Sequence, residues 1–345
     1  LDKVFVLSGD GVLTFFETVE GRALKSIRLQ PPSEGAALVD HEKHGELLYQ
    51  LRWSDGTLTL DKVVFTAEFD EDGDRTFAMD VRREASLDGS AEAEVQRSLA
   101  RIGSEGRQTR VDLLADGRLL VSQVATTENL FGETQTEDYR FVIDDAVGQQ
   151  VSALTLDGDG AFLYAGTGQG VLLRWSLEEP GEAELLDRMQ AFDDQRRITS
   201  LAMVLGDISL AVGDEQGNLT TWFPAPKESG GRGLRLIHSL AVHYAAVTDL
   251  APSQRDKSIL SLDADGVIHL DHMTSERHLL SLSNHSPLVD AAISSRGNGI
   301  VALTDDGRVV LWEIDNPHPE ISFKTLFGKV WYESYPEPDY VWQSS

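Results

Sequence analysis

Apolar and polar residues alternate in short stretches along this chain, and the stretches come in pairs separated by a tight turn ending in glycine. SILSLDADGVIHLD (258–271) and GIVALTDDGRVVLW (299–312) show the pattern clearly. Alternation predicts half-buried β-strands, and glycine between two such runs predicts a hairpin because it accepts positive φ at little cost. The equivalent turn glycines are Gly11, Gly56, Gly170, Gly217, Gly266 and Gly307.

A further β-run precedes each of the last four hairpins, which turns the hairpin into a longer repeat. These runs, which predict the innermost strands, are VSALTLD (151–157), ITSLAMV (198–204), VTDLAPS (247–253) and VDAAISS (289–295). A repeat of roughly 40–45 residues with four short strands is the signature of a β-propeller blade. The sequence therefore predicts an all-β propeller of about seven blades over residues 1–327.

An aromatic residue recurs at a fixed place in three of the repeats. Trp175, Trp222 and Trp312 each lie five residues beyond the turn glycine, near the predicted end of the third strand. His243 and His285 each lie four residues before the next innermost strand. This histidine, the turn aspartate and the tryptophan resemble a WD40 repeat that has lost its Trp-Asp dipeptide. The resemblance implies structural tryptophans and histidines that satisfy buried polar contacts.

The N-terminal repeats are less regular than the later ones. The first repeat begins directly at its second strand, and no innermost strand precedes Lys3. We therefore expect the first and last repeats to share a blade, in which ISFKTL (321–326) supplies the missing strand and removes an exposed sheet edge. Ser86–Gln108 is rich in Ala, Ser, Glu and Arg, which predicts a short helix or an excursion loop. RVDLLADGRLLVSQVA (110–125) and EDYRFVID (137–144) predict three strands.

Composition limits the classes of partner. The net charge of −27 repels nucleic acid, anionic lipid and free phosphate, and favours a basic partner or cations. The absence of cysteine excludes disulfides and thiolate chemistry. No stretch approaches the roughly 20 apolar residues of a membrane-spanning helix. Because the sequence starts at Leu1 without a signal peptide, we expect an excised domain.

Two motifs resemble ligand loops without completing them. Asp70, Asp72 and Asp74 alternate like the first calcium ligands of an EF-hand, but Arg75 replaces the glycine at position six and Val81 the glutamate at position twelve. GTGQG (166–170) lacks the lysine and the following helix of a phosphate-binding loop. Both motifs favour ordinary hairpin turns.

The late histidines do not form a metal motif at sequence level. His269 and His272 are three residues apart on a predicted strand, so they face opposite sides. No serine-nucleophile elbow or zinc-peptidase motif occurs. The sequence therefore predicts no catalytic, cofactor-binding or metal-binding residue and no cofactor.

The C-terminal tail, from about Pro317, loses the repeat pattern. Phe327-Gly328 followed by Trp331 and Trp342 resembles the segment after the first transmembrane helix of phosphate ABC transporter permease subunits, where many proteobacterial members carry a large soluble insertion. The resemblance implies that residues 328–345 are an aromatic, proline-rich, membrane-proximal connector. Its aromatic residues would lie at the lipid interface or fold back onto the propeller rim: Trp331, Tyr332, Tyr335, Tyr340 and Trp342.

The resemblance also implies a function and a location. The chain would be a non-catalytic domain on the periplasmic side of a bacterial inner membrane permease, reaching the membrane only through its parent chain. It would assist phosphate import by protein contact or regulation, without binding phosphate itself. Its partners would be the rest of the permease and the partner permease subunit, with the periplasmic phosphate-binding protein as a further candidate.

Two alternatives stay open. One is a propeller enzyme with a central metal, such as a lactonase-like or phytase-like hydrolase, whose acidic residues would hold calcium. The other is a free-standing WD40-type scaffold. An apolar span just beyond Ser345 would favour the permease.

Overall fold

The structure is a computed structural model. It describes residues 3–7, 12–17, 23–28, 35–41, 46–52, 57–69, 71, 75–87, 94–103, 106–128, 134–204, 206–227, 230–253, 255–294, 297–314, 326–327, 329–332 and 341–344. The chain divides into two compact units. The N-terminal unit comprises residues 2–115 and 120–142, and the C-terminal unit comprises residue 1, residues 116–119 and residues 143–345.

The N-terminal unit is built from antiparallel sheets in which sequence neighbours pair. The first sheet contains β1 (Lys3–Leu7), β2 (Val12–Glu17) and β3 (Ala23–Arg28). The second contains β4 (Gly35–His41), β5 (Glu46–Arg52), β6 (Leu58–Phe69) and β7 (Arg75–Leu87). The third contains β8 (Val95–Ile102), β9 (Gln108–Leu114), β10 (Leu119–Glu128) and β11 (Thr134–Ile143).

The C-terminal unit repeats a four-stranded meander. Its first sheet contains β12 (Val151–Leu156), β13 (Phe162–Thr167), β14 (Val171–Ser176) and β15 (Glu184–Gln190). The second contains β16 (Ile198–Met203), β17 (Leu210–Asp214), β18 (Asn218–Pro226) and β19 (Arg232–Ala241). The third contains β20 (Val247–Pro252), β21 (Ser258–Asp263), β22 (Ile268–His272), the 3₁₀ turn Met273–Ser275 and β23 (Arg277–Leu282).

The chain ends in one more sheet and a hairpin. The sheet contains β24 (Leu288–Ile293), β25 (Gly299–Thr304), β26 (Val309–Ile314) and β27 (Leu326–Phe327). The hairpin pairs β28 (Lys329–Tyr332) with β29 (Val341–Ser344) and sets Trp331 opposite Trp342. Its role as a membrane-proximal connector stays a prediction.

The turn glycines of the C-terminal unit lie at equivalent hairpins between second and third strands. Gly170, Gly217, Gly266 and Gly307 all have positive φ, between 70° and 86°. At Gly217 a Cβ atom would also lie 2.7 Å from the carbonyl carbon of His243, so the position admits no side chain. Gly11 and Gly56 lie outside the described residues.

One sequence expectation for the irregular regions is wrong where the structure describes them. Ser86–Gln108 contains the end of β7 and all of β8, because residues 95–102 pair with β9 and this pairing outweighs a helix-favouring composition. Residues 321–325 of ISFKTL lie outside the described residues, so closure of the ring by this segment stays a prediction; its last residue, Leu326, pairs with Ile314 of β26. Within the described residues the first sheet has three strands.

An apolar core lies between each pair of consecutive sheets in the C-terminal unit. Ala153 and Tyr164 of the first sheet pack in one cluster with Val212 and Trp222 of the second. Similar clusters join the second sheet to the third and the third to the fourth. The second and third sheets therefore bury both faces against their neighbours.

The first strands add polar links to these cores. Each has a β-bulge at its start, after Val151, Ile198, Val247 and Leu288. At the bulge of β12, Ser152 donates a hydrogen bond to the carbonyl of Ile198 at 2.6 Å. At the bulge of β16, Thr199 donates in the same way to the carbonyl of Val247. These bonds connect β12 to β16 and β16 to β20.

The same two junctions depend on glycines in the second strands. A Cβ atom at Gly166 would lie 2.7 Å from Cβ of Ile198, and one at Gly213 would lie 2.7 Å from Cγ1 of Val247. Ile198 and Val247 are fully buried. The backbone of one sheet therefore forms the surface on which the first residue of the next sheet packs.

Replacing Gly166 or Gly213 by alanine is expected to lower the free energy of unfolding by about 1–3 kcal/mol, because the new methyl group must displace a packed side chain. Urea unfolding followed by tryptophan fluorescence measures the loss.

Gly168→Ala is the matched control. The nearest atom to a Cβ there is Oε1 of Gln150, at 3.2 Å and at the end of a flexible side chain. We expect a change within about 0.5 kcal/mol. Equal losses in all three variants would contradict the close-packing explanation.

Candidate functional site

The position five residues beyond the turn glycine, here called the aromatic position, is buried in each sheet that carries a tryptophan there. Trp175, Trp222 and Trp312 lie on the third strands β14, β18 and β26 and are at most 6% exposed. Trp222 donates its indole N–H to Thr220 Oγ1 at 3.0 Å. The aromatic position is therefore a structural part of the core between sheets.

Two other sheets carry a carboxylate at the aromatic position. Asp61 on β6 and Asp271 on β22 lie five residues beyond Gly56 and Gly266, and both are buried. Burial of a carboxylate is costly unless the group is paired. Each is paired with a basic residue on the fourth strand of its sheet: Arg83 Nε lies 3.0 Å from Asp61 Oδ1, and His278 Nδ1 lies 2.9 Å from Asp271 Oδ1.

A β-bulge explains how the basic residue reaches the carboxylate. The ladder between third and fourth strands shifts register beside the aromatic position in both sheets, between Leu60 and Asp61 and between Leu270 and Asp271. Beyond the shift, Asp271 is directly opposite His278. The bulge thus sets a basic residue of the fourth strand, Arg83 or His278, directly opposite the buried carboxylate.

Asp271 belongs to a group of three residues, here called the histidine cluster: His269, Asp271 and His278. His269 is two residues before Asp271 on β22, so both project from one face of the strand. One potential ligand atom from each of the three residues lies within 4.8 Å of the others. The cluster is therefore compact enough to act on one ion or one proton.

His243 supports the cluster from the loop before β20. Its ring stacks on His269 with centroids 4.1 Å apart. Its two nitrogens are held by Asp263 Oδ2 at 2.9 Å and by Ser261 Oγ at 2.8 Å. Asp263 in turn accepts the backbone N–H groups of Asp265 and Val267 and closes the hairpin.

The two histidines that the WD40 resemblance pairs have different environments. His243 is buried and contacts the turn aspartate, as the resemblance implies. His285 is exposed, so the expectation of a buried polar contact is wrong there. The reason is an offset of one residue between the two sheets. Leu288 pairs with Thr304 as Val247 pairs with Asp263. His285 therefore corresponds to Tyr244, which is also exposed, and not to His243.

Burial shapes the protonation of the cluster. Burial, together with the neighbouring His243 and His278, lowers the pKa of His269 to about 4. Burial also lowers the pKa of His243, an effect opposed by Asp263. Burial raises the pKa of Asp271, opposed by the hydrogen bond from His278. His269 is therefore a neutral imidazole at neutral pH.

Two atoms of the cluster lack hydrogen-bond partners among the described residues. They are Nδ1 of His269 and Oδ2 of Asp271, both buried. Buried polar atoms in native proteins nearly always have a partner.

The histidine cluster was not predicted from the sequence, because the spacing of His269 and His272 was considered and that of His269 and His278 was not. His269 and His272 do face opposite sides: His272 bonds to Ser275 at 2.7 Å, away from the cluster. The useful signal is the aspartate at the aromatic position with a histidine two residues before it. Its partner His278 lies across a bulge, which sequence spacing does not reveal.

The other sequence motifs form no site in the described residues. GTGQG spans the end of β13 and the following hairpin, where Thr167 Oγ1 accepts the N–H of Val171. Asp70, Asp72 and Asp74, and the tail residues Tyr335 and Tyr340, lie outside the described residues. Across the described ranges, no helix is both long and apolar enough to span a membrane.

Sequence comparisons give no family: no protein-family model matches the chain, and no curated protein matches it. Solved structures do resemble it. The β-propeller domain of Cps50 (Swd1) from Myceliophteria thermophila superposes with a TM-score of 0.60 at 14% identity, covering 91% of this chain and 94% of that one.

Two further structures agree with that likeness. The computationally designed protein Ika8 has a TM-score of 0.54 at 18% identity and covers 99% of this chain and 93% of its own. Raptor from Chaetomium thermophilum has a TM-score of 0.59 at 12% identity, covering 91% of this chain and 27% of that one. The chain is therefore an all-β protein with a WD40-like β-propeller fold. Its blade number, about seven, stays a prediction.

Replacing His243 by alanine is expected to lower the free energy of unfolding by about 1–3 kcal/mol, because Asp263 and Ser261 would keep buried atoms without partners. His285→Ala, at the other histidine that the WD40 resemblance singles out, should change stability by no more than about 0.5 kcal/mol because His285 is exposed. Thermal unfolding of both variants measures the difference, and equal effects would refute the assigned contacts.

Proposed function

We propose that this propeller is a non-catalytic protein-interaction domain of a phosphate-type ABC transporter permease, on the periplasmic side of a bacterial inner membrane. The aromatic tail supports the permease assignment through its resemblance to the segment that follows such insertions. The role in phosphate import would be contact with, or regulation of, the transporter. Tail residues Trp331, Tyr332, Tyr335, Tyr340 and Trp342 would lie near the membrane.

The interaction role is supported by the turn face of the C-terminal unit, formed by the hairpins between second and third strands and the loops that link consecutive sheets. Backbone bonds hold these loops against the turns: His243 N–H to the Gly217 carbonyl at 3.0 Å, and Asp305 N–H to the Pro287 carbonyl at 2.9 Å. The face is thus a preorganised surface, which reduces the entropy lost on binding.

One aromatic side chain on this face carries the proposal. Tyr244, beside the anchored His243, is fully exposed. A tyrosine held on a fixed backbone loses little conformational freedom when a partner covers it, and tyrosine is enriched in binding hot spots. No contact within the domain accounts for its outward position among the described residues.

Charge indicates the kind of partner. Asp249 and Asp290 lie near the starts of β20 and β24, at the end of the strands that meets the turn face. Asp290 is accessible to solvent, yet surrounding protein raises the pKa of its carboxyl group and the charge of Asp249 raises it further. Together with the net charge of −27, this favours a partner that presents lysine or arginine.

The enzyme alternative has less support. A hydrolase with a central metal would need ligands on the first strands, which line the centre of a propeller. The first strands of the C-terminal unit carry two carboxylates, Asp249 and Asp290, and no histidine. The histidine cluster lies on the third and fourth strands, β22 and β23.

A binding measurement tests the interaction role. The periplasmic phosphate-binding protein of the same transporter should bind the immobilised domain, with an affinity that falls as salt rises. Tyr244→Ala should weaken this binding at least tenfold. Ile208→Ala is the control, since Ile208 is 52% exposed but lies in a turn at the other end of the sheet. Absence of binding, or equal affinities for the three proteins, would overturn the proposal.

Inorganic phosphate should not bind this domain with micromolar affinity. The net charge of −27 opposes an anion, and no helix N-terminus or basic cluster in the described residues offsets it. Calorimetric titration with phosphate measures this, and a micromolar dissociation constant would contradict the expectation.

A further inference from the structure

We propose that His269, Asp271 and His278 form a binding site for one divalent transition-metal ion of the Zn²⁺ class. The proposal is independent of the transporter assignment, because it rests only on the geometry of the third sheet of the C-terminal unit.

The three side chains are already gathered around one point. His269 and Asp271 share a face of β22, and the bulge sets His278 opposite Asp271. Their potential ligand atoms lie within 4.8 Å of one another. Ligand atoms about 2.0–2.2 Å from a tetrahedral zinc ion are about 3.3–3.6 Å apart, so side-chain rotation must shorten the widest separation in the cluster by no more than about 1.5 Å.

The atoms without partners indicate that something is still to be bound. Oδ2 of Asp271, on a side chain that is 0% exposed, and Nδ1 of His269 have no hydrogen-bond partner in the described residues. A cation between them would satisfy both atoms at once. A bridging water molecule would also donate to both atoms, so the metal titration described below is what distinguishes a cation from water.

The ligand set selects the class of ion. Two imidazoles and one carboxylate suit Zn²⁺, Co²⁺ and similar ions, whereas Ca²⁺ and Mg²⁺ prefer six or more oxygen ligands. The side chain of His278 is 46% exposed, so the ion can enter from solvent and keep a water molecule in the fourth position.

Outer contacts orient both histidine ligands. Nε2 of His278 lies 2.9 Å from Ser281 Oγ; a proton held there leaves the lone pair of Nδ1 for a metal. On metal binding, Nδ1 would exchange its present contact with Asp271 for the ion. The ring of His269 is fixed by stacking on His243, which Asp263 and Ser261 hold in turn.

The N-terminal unit contains a natural comparison for this site. At the aromatic position of β6, Asp61 is also buried and paired across a bulge, but its partner is Arg83 and the residue two before it is Thr59. A guanidinium keeps its protons and offers no lone pair. The Asp61 site is therefore complete as an ion pair, whereas at the Asp271 site Oδ2 of Asp271 and Nδ1 of His269 have lone pairs that can bind a metal ion.

The test is a titration of the full chain, stripped of metal with a chelator, with Zn²⁺ by calorimetry and with Co²⁺ by visible absorption. We expect one tight site per chain and an intense tetrahedral Co²⁺ spectrum, both unaffected by millimolar Mg²⁺. Asp271→Asn and His269→Gln should each weaken Zn²⁺ binding more than tenfold. Asp271→Asn is nearly isosteric and can still accept the bond from His278, so its fold should survive.

Two controls exclude nonspecific binding. His272→Ala removes a histidine from the opposite face of the same strand, and His238→Ala removes one paired with Glu276 at 3.0 Å, outside the cluster. Both should bind Zn²⁺ like the unmodified chain. Saturating Zn²⁺ should raise the melting temperature of the unmodified chain and not that of Asp271→Asn. Absence of a stoichiometric site, or equal affinity with Asp271→Asn and His269→Gln, would overturn the proposal and leave only adventitious binding to the acidic surface.

Discussion

The first three sheets of the C-terminal unit approach one another at a distance set by residues that have no side chain. Gly166 and Gly213 expose backbone where Ile198 and Val247 pack. This close approach brings each linking loop over the preceding hairpin, so that the His243 N–H bonds to the Gly217 carbonyl. The turn face, the orientation of His243 and the support of the histidine cluster all follow from that spacing.

The aromatic position shows how one backbone location serves different purposes. The position lies on the third strand, and its surroundings are fixed by the second strand on one side and by the bulge of the fourth strand on the other. Trp222 fills it with apolar surface, Asp61 with an ion pair, and Asp271 with a carboxylate beside two imidazoles. The fold supplies the location, and two or three side chains decide the chemistry.

Local spacing explains what the sequence predicted well. Turn glycines and buried tryptophans depend on residues a few positions apart, so Gly217 and Trp222 could be assigned from the repeat alone. β8 could not, because its place depends on pairing with β9 against a helix-favouring composition. The contact of His278 with Asp271 needs a bulge and the intervening turn Met273–Ser275, both set by the ladder between β22 and β23. The assignment of His285 was wrong because β24 begins at Leu288, one residue earlier than the sequence repeat predicts, so His285 does not lie at the position of His243.

The bulges of the first strands make the junctions between sheets unequal. Ser152 and Thr199 each bond to the next sheet, whereas Thr248 bonds to Leu262 within its own sheet, and Val289 carries no hydroxyl group. Among the described contacts of the first strands, the last junction therefore relies on its apolar cluster. Apolar association weakens on cooling. Cold should loosen this junction before the other two, so that the fourth sheet is the first part of the unit to become mobile near freezing.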